Sequence, residues 1–208
     1  GLPSDVREEL ARSAEPRMAP ALEARLAEAS RAYEADRYKE AQQALADLVR
    51  KAPESAAVRE LYGLCLYRRG RWGEAIRELE AFHRLGGSMD QHPVLADCHR
   101  ALGHGKDVRR LWEELREGSP SGEVVAEGRI VMAETLAEEG DLGVAIALLE
   151  RSLRPHRVVR DHHVRQWYAL ADLYERAGEL GRARALFARV LDHDAELSDT
   201  AERLAALG

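Results

Sequence analysis

The sequence predicts an all-α fold built as a stack of about five antiparallel helix pairs. Ala, Leu, Glu and Arg, which lose little rotamer freedom in a helix, dominate the composition, whereas aromatic residues make up only 5%. Few segments alternate β-branched or aromatic residues with polar ones, so strands are disfavoured. Small residues and glycines recur at intervals of roughly 35 positions, which is typical of repeated helix pairs.

Each repeat is marked by a small residue, a helix-ending residue seven positions later and a second small residue twelve positions after the first. In the stretch around Gly63, Gly70 and Ala75, the small residues allow two helices to approach closely and Gly70 ends the first helix. The first small residues are Ala29, Gly63, Ala96, Ala133 and Ala171, and the second positions hold Ala41, Ala75, Val108, Ala145 and Ala183. Successive shifts are 34, 33, 37 and 38 residues, as loop insertions between helices would produce.

These markers place one helix before each turn and one after it. The predicted pairs are 20–35 with 38–51, 55–69 with 72–85, 90–102 with 105–117, 122–139 with 142–153, and 159–177 with 180–192. A further helix is predicted from Ser4, as its N-cap, to about Ala14 and before Pro16. A short last helix is predicted behind a capping box of Asp199 and Glu202.

The same pattern predicts how the chain is divided. A flanking helix would occupy 1–19, a repeat domain 20–195 and a C-terminal capping helix 196–208. The repeat units would span about 20–53, 54–87, 88–120, 121–157 and 158–195. Helices at both ends are expected because a terminal repeat otherwise exposes an apolar face.

The last unit resembles the tetratricopeptide repeat. Its pattern W-x-x-L-[GA]-x-x-Y…A-x-x-x-F is matched by Trp167, Leu170, Ala171, Tyr174, Gly178, Ala183 and Phe187. The third unit departs from the pattern at His99 and Val108, and the fourth lacks the tryptophan and tyrosine. The resemblance implies a right-handed α-α superhelix, a TPR-like solenoid whose concave groove receives peptides or helices of other proteins.

The chain is also similar to a group of uncharacterised actinobacterial tetratricopeptide proteins. This similarity is carried by the whole chain and most clearly by residues 93–98 and 199–204. The group has no assigned activity to transfer.

Helical spacing around the first small residue indicates which side chains would line the groove. We expect a protein-protein interaction module, an adaptor or scaffold without enzymatic activity, that binds a peptide or helix there. The predicted groove residues are Leu26, Tyr33, Leu64, Tyr67, Arg68, Asp97, Arg100, Glu134, Tyr168, Asp172 and Arg176. Such side chains are most often only solvated, so they are candidates as a group rather than singly.

An arginine-rich connector between the fourth and fifth units is the alternative binding surface. The segment 151–165 holds five arginines, one acidic residue and three histidines. Arginine suits carboxylate or phosphate, so the patch could bind an acidic partner or RNA. The patch consists of Arg151, Arg154, Arg157, Arg160 and Arg165, and a merely solvated connector is the competing interpretation.

Catalysis, cofactors and metals are not predicted. No phosphate-binding loop, dinucleotide fingerprint or nucleophile elbow occurs. His92, Cys98, His99 and His104 cluster along the third unit, but without the close spacing of metal motifs. Cys65 and Cys98 each stand two residues after the first small residue, which predicts that both are buried packing residues.

The net charge, the hydropathy and the number of cysteines limit the classes of partner and the cellular location that we expect. The formal net charge of −6 disfavours broad nucleic-acid binding. No apolar run is long enough for a membrane span, no signal segment is visible, and two cysteines suit a reducing compartment, so a cytoplasmic location is expected. Because Met is absent at the start, we expect the chain to begin inside a longer protein. A homodimer that covers an apolar end face is an open alternative.

Overall fold

The computed structural model describes residues 2–15, 17–86 and 88–208. Within these ranges the secondary structure consists of α-helices and two 3₁₀ turns, and the described residues form no strand. The predicted all-α class is therefore confirmed. Gly1, Pro16 and Gly87, which stand at or near predicted boundaries, lie outside the described residues.

The helices form two compact units, residues 1–104 and 105–208. The first unit holds α1 (Ser4–Ser13), α2 (Ala19–Glu34), α3 (Tyr38–Lys51), α4 (Ala56–Arg68), α5 (Trp72–Arg84) and α6 (His92–Ala101). The second holds α7 (Gly105–Gly118), α8 (Gly122–Glu138), α9 (Leu142–Glu150), α10 (Asp161–Arg176), α11 (Leu180–Leu191) and α12 (Thr200–Ala206). In each unit, consecutive helices pack against one another, as a stack of pairs requires. The boundary between the compact units lies within the predicted third repeat, whose limits stay a prediction.

The predicted turns between paired helices are left-handed, as expected. Gly70 has φ +68° directly after α4, where any side chain would be strained. In the first repeat the same place is taken by Asp36, with φ +58°. Aspartate tolerates this conformation better than most residues, so the repeat keeps its turn without glycine.

Small residues lie where paired helices touch, which confirms their predicted role. A Cβ atom added to Gly63 would stand 2.7 Å from Cγ of Leu79, so α4 and α5 approach too closely for a side chain there. Ala41, Ala133 and Ala171 are completely buried. The repeating small residues therefore set the helix separation within each pair.

The N-terminal helix α1 is tied to the start of α4. Oε1 of Glu9 accepts hydrogen bonds from the hydroxyl of Ser55, at 2.5 Å, and from the backbone N–H of Ala57, at 3.0 Å. Ser55 is fully buried and its Oγ also accepts from the N–H of Val58, which caps α4. One buried cluster thus anchors a flanking helix and begins a repeat helix.

We expect Ser55→Ala to lower the free energy of unfolding by about 2 kcal/mol. The change removes a helix cap and leaves a partly buried carboxylate with one donor fewer. Urea unfolding followed by circular dichroism measures it. Ser121→Ala is the matched control, because Ser121 also caps a helix, through the N–H of Val124, but is exposed to solvent and bonds no second helix. Equal losses for both variants would contradict a role for Glu9.

Three predictions about helix ends are wrong. Ser4 is the first residue of α1 rather than its cap, since Pro3 precedes the helix and no side chain caps it. The second helix of the fourth repeat, predicted to reach residue 153, ends as an α-helix at Glu150, and a 3₁₀ turn follows over Arg151–Leu153. Asp199 makes no capping hydrogen bond to α12, because its carboxylate accepts from the hydroxyl of Tyr168 instead.

None of the described helices combines the length and apolar content that crossing a lipid bilayer would require.

Candidate partner-binding face

The predicted groove residues come from the first helix of each pair. We use "first-helix face" for the side of α2, α4 and α6 in the first unit, and of α8 and α10 in the second, on which these residues lie. Within each unit these helices are neighbours, so side chains from successive repeats can meet. Each unit therefore has a first-helix face of its own.

In the first unit, three predicted residues form one hydrogen-bonded group. The hydroxyl of Tyr67 donates to Oδ2 of Asp97 at 2.7 Å, and Nε of Arg100 donates to Oδ1 at 2.8 Å. Burial raises the pKa of Tyr67, and the hydrogen bond to Asp97 raises it further. The group joins α4 to α6 and leaves each side chain only partly exposed.

Tyr33 and Arg68 lie together at the turn between α2 and α3. The ring of Tyr33 meets that of Tyr38 edge-on at 5.3 Å, and the guanidinium of Arg68 lies 4.8 Å from the centre of the Tyr38 ring. Arg68 also stands 3.7 Å from the carboxylate of Asp36. Leu64 is half-buried and lies about one helical turn before Tyr67 and Arg68 on α4. The sequence interpretation missed Tyr38, which belongs to a second helix.

Leu26 was predicted to line the groove, but the structure places it in the core. Its side chain is 3% exposed and belongs to the core of the first unit, in one cluster with Leu10 of α1. The flanking helix α1 packs on α2, and this contact brings Leu10 into the same buried cluster as Leu26. Leu26 therefore stabilises the fold and is not accessible to a partner.

The first-helix face of the second unit contains a pocket of about 300 Å³. Its wall and floor are mainly apolar, and carboxylates stand around it. The lining residues are Glu127, Ile130, Glu134, Arg165, Tyr168, Ala169, Asp172 and Leu197. Three of the predicted groove residues, Glu134, Tyr168 and Asp172, meet here.

Arginines bridge pairs of carboxylates around this pocket. Arg176 donates to Glu134 at 3.0 Å and to Asp172 at 3.4 Å, so a further predicted residue, Arg176, links two of those at the pocket. Arg165 likewise reaches Glu127 at 2.5 Å and Glu123 at 3.2 Å. Each of these carboxylates has a guanidinium beside it, but two guanidiniums are shared by four carboxylates, so negative charge remains in excess at the rim.

The end of the chain completes the face. Arg203 of α12 pairs with Asp172 at 2.8 Å and with Glu175 at 2.6 Å, and Leu197 reaches the pocket. Sequence reasoning missed both residues because they lie outside the repeats. The only sequence signal for their role was that the predicted C-terminal capping helix, which was expected to cover an apolar face, has aliphatic and basic side chains.

The arginine-rich connector divides into two parts. Arg151, Arg154, Arg157 and Arg160 are exposed, and none of them forms an ion pair with another described residue. Arg165 lies on α10 and is engaged by Glu127 and Glu123. The predicted five-arginine patch is therefore a patch of four, since Arg165 belongs to the first-helix face.

Three histidines stand beside the connector. The rings of His156 and His163 stack at 3.7 Å, and His162 meets His163 edge-on at 4.1 Å. The backbone N–H of Arg160 donates to Nδ1 of His163 at 3.0 Å, which requires that nitrogen to be unprotonated. Burial, and then the positive charges of the neighbouring His156, His162 and Arg160, lower the pKa of His163 to about 4.

We expect this histidine to make the fold sensitive to mild acid. A folded-state pKa below the ordinary 6.5 means that the unfolded chain binds the proton first, so stability falls as pH drops from about 6.5 to 4. His163→Gln should flatten this part of the curve of unfolding free energy against pH. His193→Gln is the control, because His193 is exposed. A slope that is the same in His163→Gln and wild type would contradict the assignment.

The two cysteines are fully buried, as predicted. Burial raises the pKa of Cys65 to about 11 and that of Cys98 to about 12. Both are therefore protonated thiols at neutral pH, and weak nucleophiles and metal ligands. Of the predicted histidine cluster, His92 and His99 are buried, and Nδ1 of His99 lies 3.2 Å from Nδ1 of His104, so one ring nitrogen donates to the other.

A family model described as tetratricopeptide repeat matches residues 26–85 and 130–198. The structure is similar to that of TTC0263, a tetratricopeptide protein of Thermus thermophilus, with a TM-score of 0.67 and 18% identity over 89% of this chain and 98% of that one. It is also similar to the apo quorum sensor NprR of B. thuringiensis, with a TM-score of 0.66 and 16% identity over 88% of this chain and 58% of that one.

A third similar structure is YrrB, described as a tetratricopeptide protein with an unusual peptide-binding site, with a TM-score of 0.53 and 16% identity over 86% of this chain and 89% of that one. At these identities the likenesses show the fold alone. The comparison with curated proteins finds no match. The narrower similarity to actinobacterial proteins stays a prediction.

Proposed function

The chain belongs to the tetratricopeptide repeat family, and from this premise we propose that it is a non-enzymatic adaptor that binds a peptide or helix of another protein on its first-helix face. The observation that carries the proposal is the pocket of about 300 Å³ between α8 and α10. Ile130 and Ala169 give it apolar walls, and Tyr168 offers an aromatic ring beside them. An apolar recess with a polar rim is the usual form of an anchor site for a partner side chain.

The similar structures support a role in recognition. YrrB is described as having a peptide-binding site, and NprR as a quorum sensor. In the first unit, Leu64, Tyr67 and Arg68 provide aliphatic, aromatic and cationic groups on neighbouring turns of α4. We also propose that the protein acts in the cytoplasm, since two free cysteines, both buried and not joined in a disulfide, suit a reducing compartment.

We expect Ile130→Ala to weaken partner binding about tenfold, which corresponds to about 1.4 kcal/mol. The change removes an aliphatic wall of the pocket that the partner would bury. Val144→Ala is the matched control, because Val144 of α9 is 57% exposed and lies on a second helix. Affinity is measured by titrating immobilised wild-type and variant protein with the partner that site-specific crosslinking captures.

The partner is identified with a photoreactive phenylalanine analogue placed at Ile130, and separately at Leu64, in protein exposed to native lysate. Crosslinks from these sites that are absent from a Val144 control support the proposal. Crosslinks that are as strong at Val144, or a partner that binds Ile130→Ala as tightly as wild type, would contradict binding on this face in the second unit.

A second candidate function is the binding of an anionic partner, RNA or an acidic protein, by the connector. The observation in its favour is that Arg151, Arg154, Arg157 and Arg160 are exposed without an ion pair among the described residues. Unlike Arg165, they would lose no internal partner on binding. Exposed guanidinium groups of this kind can form bidentate hydrogen bonds with phosphate or carboxylate groups of a partner.

We expect the double change Arg154→Glu with Arg157→Glu to abolish any binding of a fluorescent single-stranded oligouridine or of an acidic peptide. Affinity for the RNA should also fall steeply as salt rises. Arg77→Glu with Arg184→Glu changes the net charge equally on exposed helix positions and serves as the control. Binding that is insensitive to salt, or absent in wild-type protein, excludes this function.

A further inference from the structure

The pocket of the second unit lies in a cluster with an excess of negative charge. Three carboxylates line it, and three more are linked to it through shared arginines or the hydroxyl of Tyr168. Three guanidiniums pair with five of these six carboxylates, so the nine groups together carry three more negative charges than positive ones. The acidic residues are Glu123, Glu127, Glu134, Asp172, Glu175 and Asp199, and the basic ones are Arg165, Arg176 and Arg203. A cationic segment would lower the electrostatic energy of this cluster, and an acidic segment would raise it.

One arginine already demonstrates how this face holds a guanidinium. Arg203 lies between the carboxylates of Asp172 and Glu175 and 4.8 Å from the centre of the Phe187 ring. Its side chain is only 20% exposed. Charge-assisted hydrogen bonds and an aromatic face are the two features that favour arginine at protein interfaces. The first-helix face is therefore chemically suited to guanidinium groups.

The C-terminal segment also shows how the apolar part of the pocket holds an aliphatic side chain. Leu197 joins Ile130 and Ala169 in lining the pocket, six residues before Arg203. A volume of about 300 Å³ is at the lower end for small-molecule sites, and it suits a side chain better than a cofactor. The chain thus places an aliphatic group and a guanidinium of its own at the edge of the face.

We infer that the partner segment bound by the second unit is basic and aliphatic, with a Leu, Ile or Val side chain in the pocket and Arg or Lys beside it. This inference rests on the proposed function and names the chemistry of its partner. The aliphatic side chain displaces water from Ile130 and Ala169, and the basic side chains meet Glu127 and Glu134 at the rim. An acidic or purely polar segment would make neither the apolar contact in the pocket nor the ionic contact at its rim.

The test is a selection of random peptides displayed on phage against the purified protein. Peptides enriched on wild type should carry Arg or Lys within a few positions of an aliphatic residue. They should bind Glu127→Gln with Glu134→Gln about tenfold more weakly. This double variant keeps the fold measurable, because Arg165 retains Glu123 and Arg176 retains Asp172. Glu113→Gln with Glu117→Gln, on exposed positions of α7, is the matched control and should bind as wild type does.

The outcomes separate the inference from the proposed function. If selected peptides lose affinity in Ile130→Ala but are acidic or lack basic residues, the proposed function stands and the basic partner is refuted. Basic peptides that bind the Glu127→Gln with Glu134→Gln variant as tightly as wild type also refute it. If no peptide is enriched, or none is sensitive to Ile130→Ala, binding at this pocket fails together with the inference.

Discussion

Replacing Trp167 by Ala is expected to lower the free energy of unfolding by about 3–5 kcal/mol, the largest single loss that we predict. Trp167 is completely buried in the second unit, and its Nε1–H donates to the backbone carbonyl of Ser152 at 3.1 Å. The guanidinium of Arg189 lies 3.7 Å from the centre of one of its rings. The truncation leaves a cavity and removes the donor that fixes the 3₁₀ turn after α9. Urea unfolding measured by circular dichroism gives the change.

A second variant separates the two contributions of Trp167. Trp167→Phe keeps most of the ring volume but loses the indole N–H, so we expect a loss of about 1–2 kcal/mol. If Trp167→Ala were no worse than Trp167→Phe, the cavity would have little effect and the described packing would be wrong. The result also bears on function, because α10 carries both Trp167 and the pocket residues Tyr168 and Asp172.

Replacing Gly63 by Val is expected to cost about 3 kcal/mol, at the upper end for overpacking. A Cβ atom at Gly63 would lie 2.7 Å from Cγ of Leu79 and 3.3 Å from its backbone nitrogen, so the backbone of α5 would have to shift. Flexible side-chain movement alone cannot relieve a contact with a neighbouring helix backbone. The same unfolding measurement in urea tests this prediction.

Gly73→Val is the matched control for Gly63→Val. Gly73 lies in α5 of the same unit, and a Cβ atom there meets nothing within 4 Å. Valine is a slightly better helix former than glycine, so the change should remain within about 0.5 kcal/mol of wild type. Equal destabilisation by the two valines would mean that the recurring small residues do not set the distance between paired helices.

Most helices could be predicted from the sequence because their ends depend on local chemistry. The predicted helix 38–51 is observed as Tyr38–Lys51, and the predicted helix 20–35 as Ala19–Glu34. A left-handed residue such as Gly70 ends a helix through its own φ angle, which distant contacts need not specify. Predictions that depended on a single capping hydrogen bond were wrong at Ser4 and Asp199. At Asp199 the reason is that Tyr168, 31 positions away, donates to the carboxylate.

The candidate site could be predicted only in part, for the same physical reason. Helical spacing brought Glu134 and Asp172 to one face, and the structure links them through Arg176. Spacing does not reveal that Leu26 is covered, because α1 lies outside the repeat that the spacing describes.

The sequence alone determined that this protein is a set of helix pairs of the tetratricopeptide type, since small residues and helix-ending turns act over a few positions along the chain. Tertiary structure alone decided which surfaces are open and which charges neutralise one another. Arg165 belongs to the first-helix face of the second unit rather than to the connector because Glu127, 38 positions earlier, is its partner. Arg203 joins the same face because its side chain reaches from α12 to Glu175 of α10. Such pairings depend on which helices become neighbours in the fold, and residue spacing within one helix does not predict this.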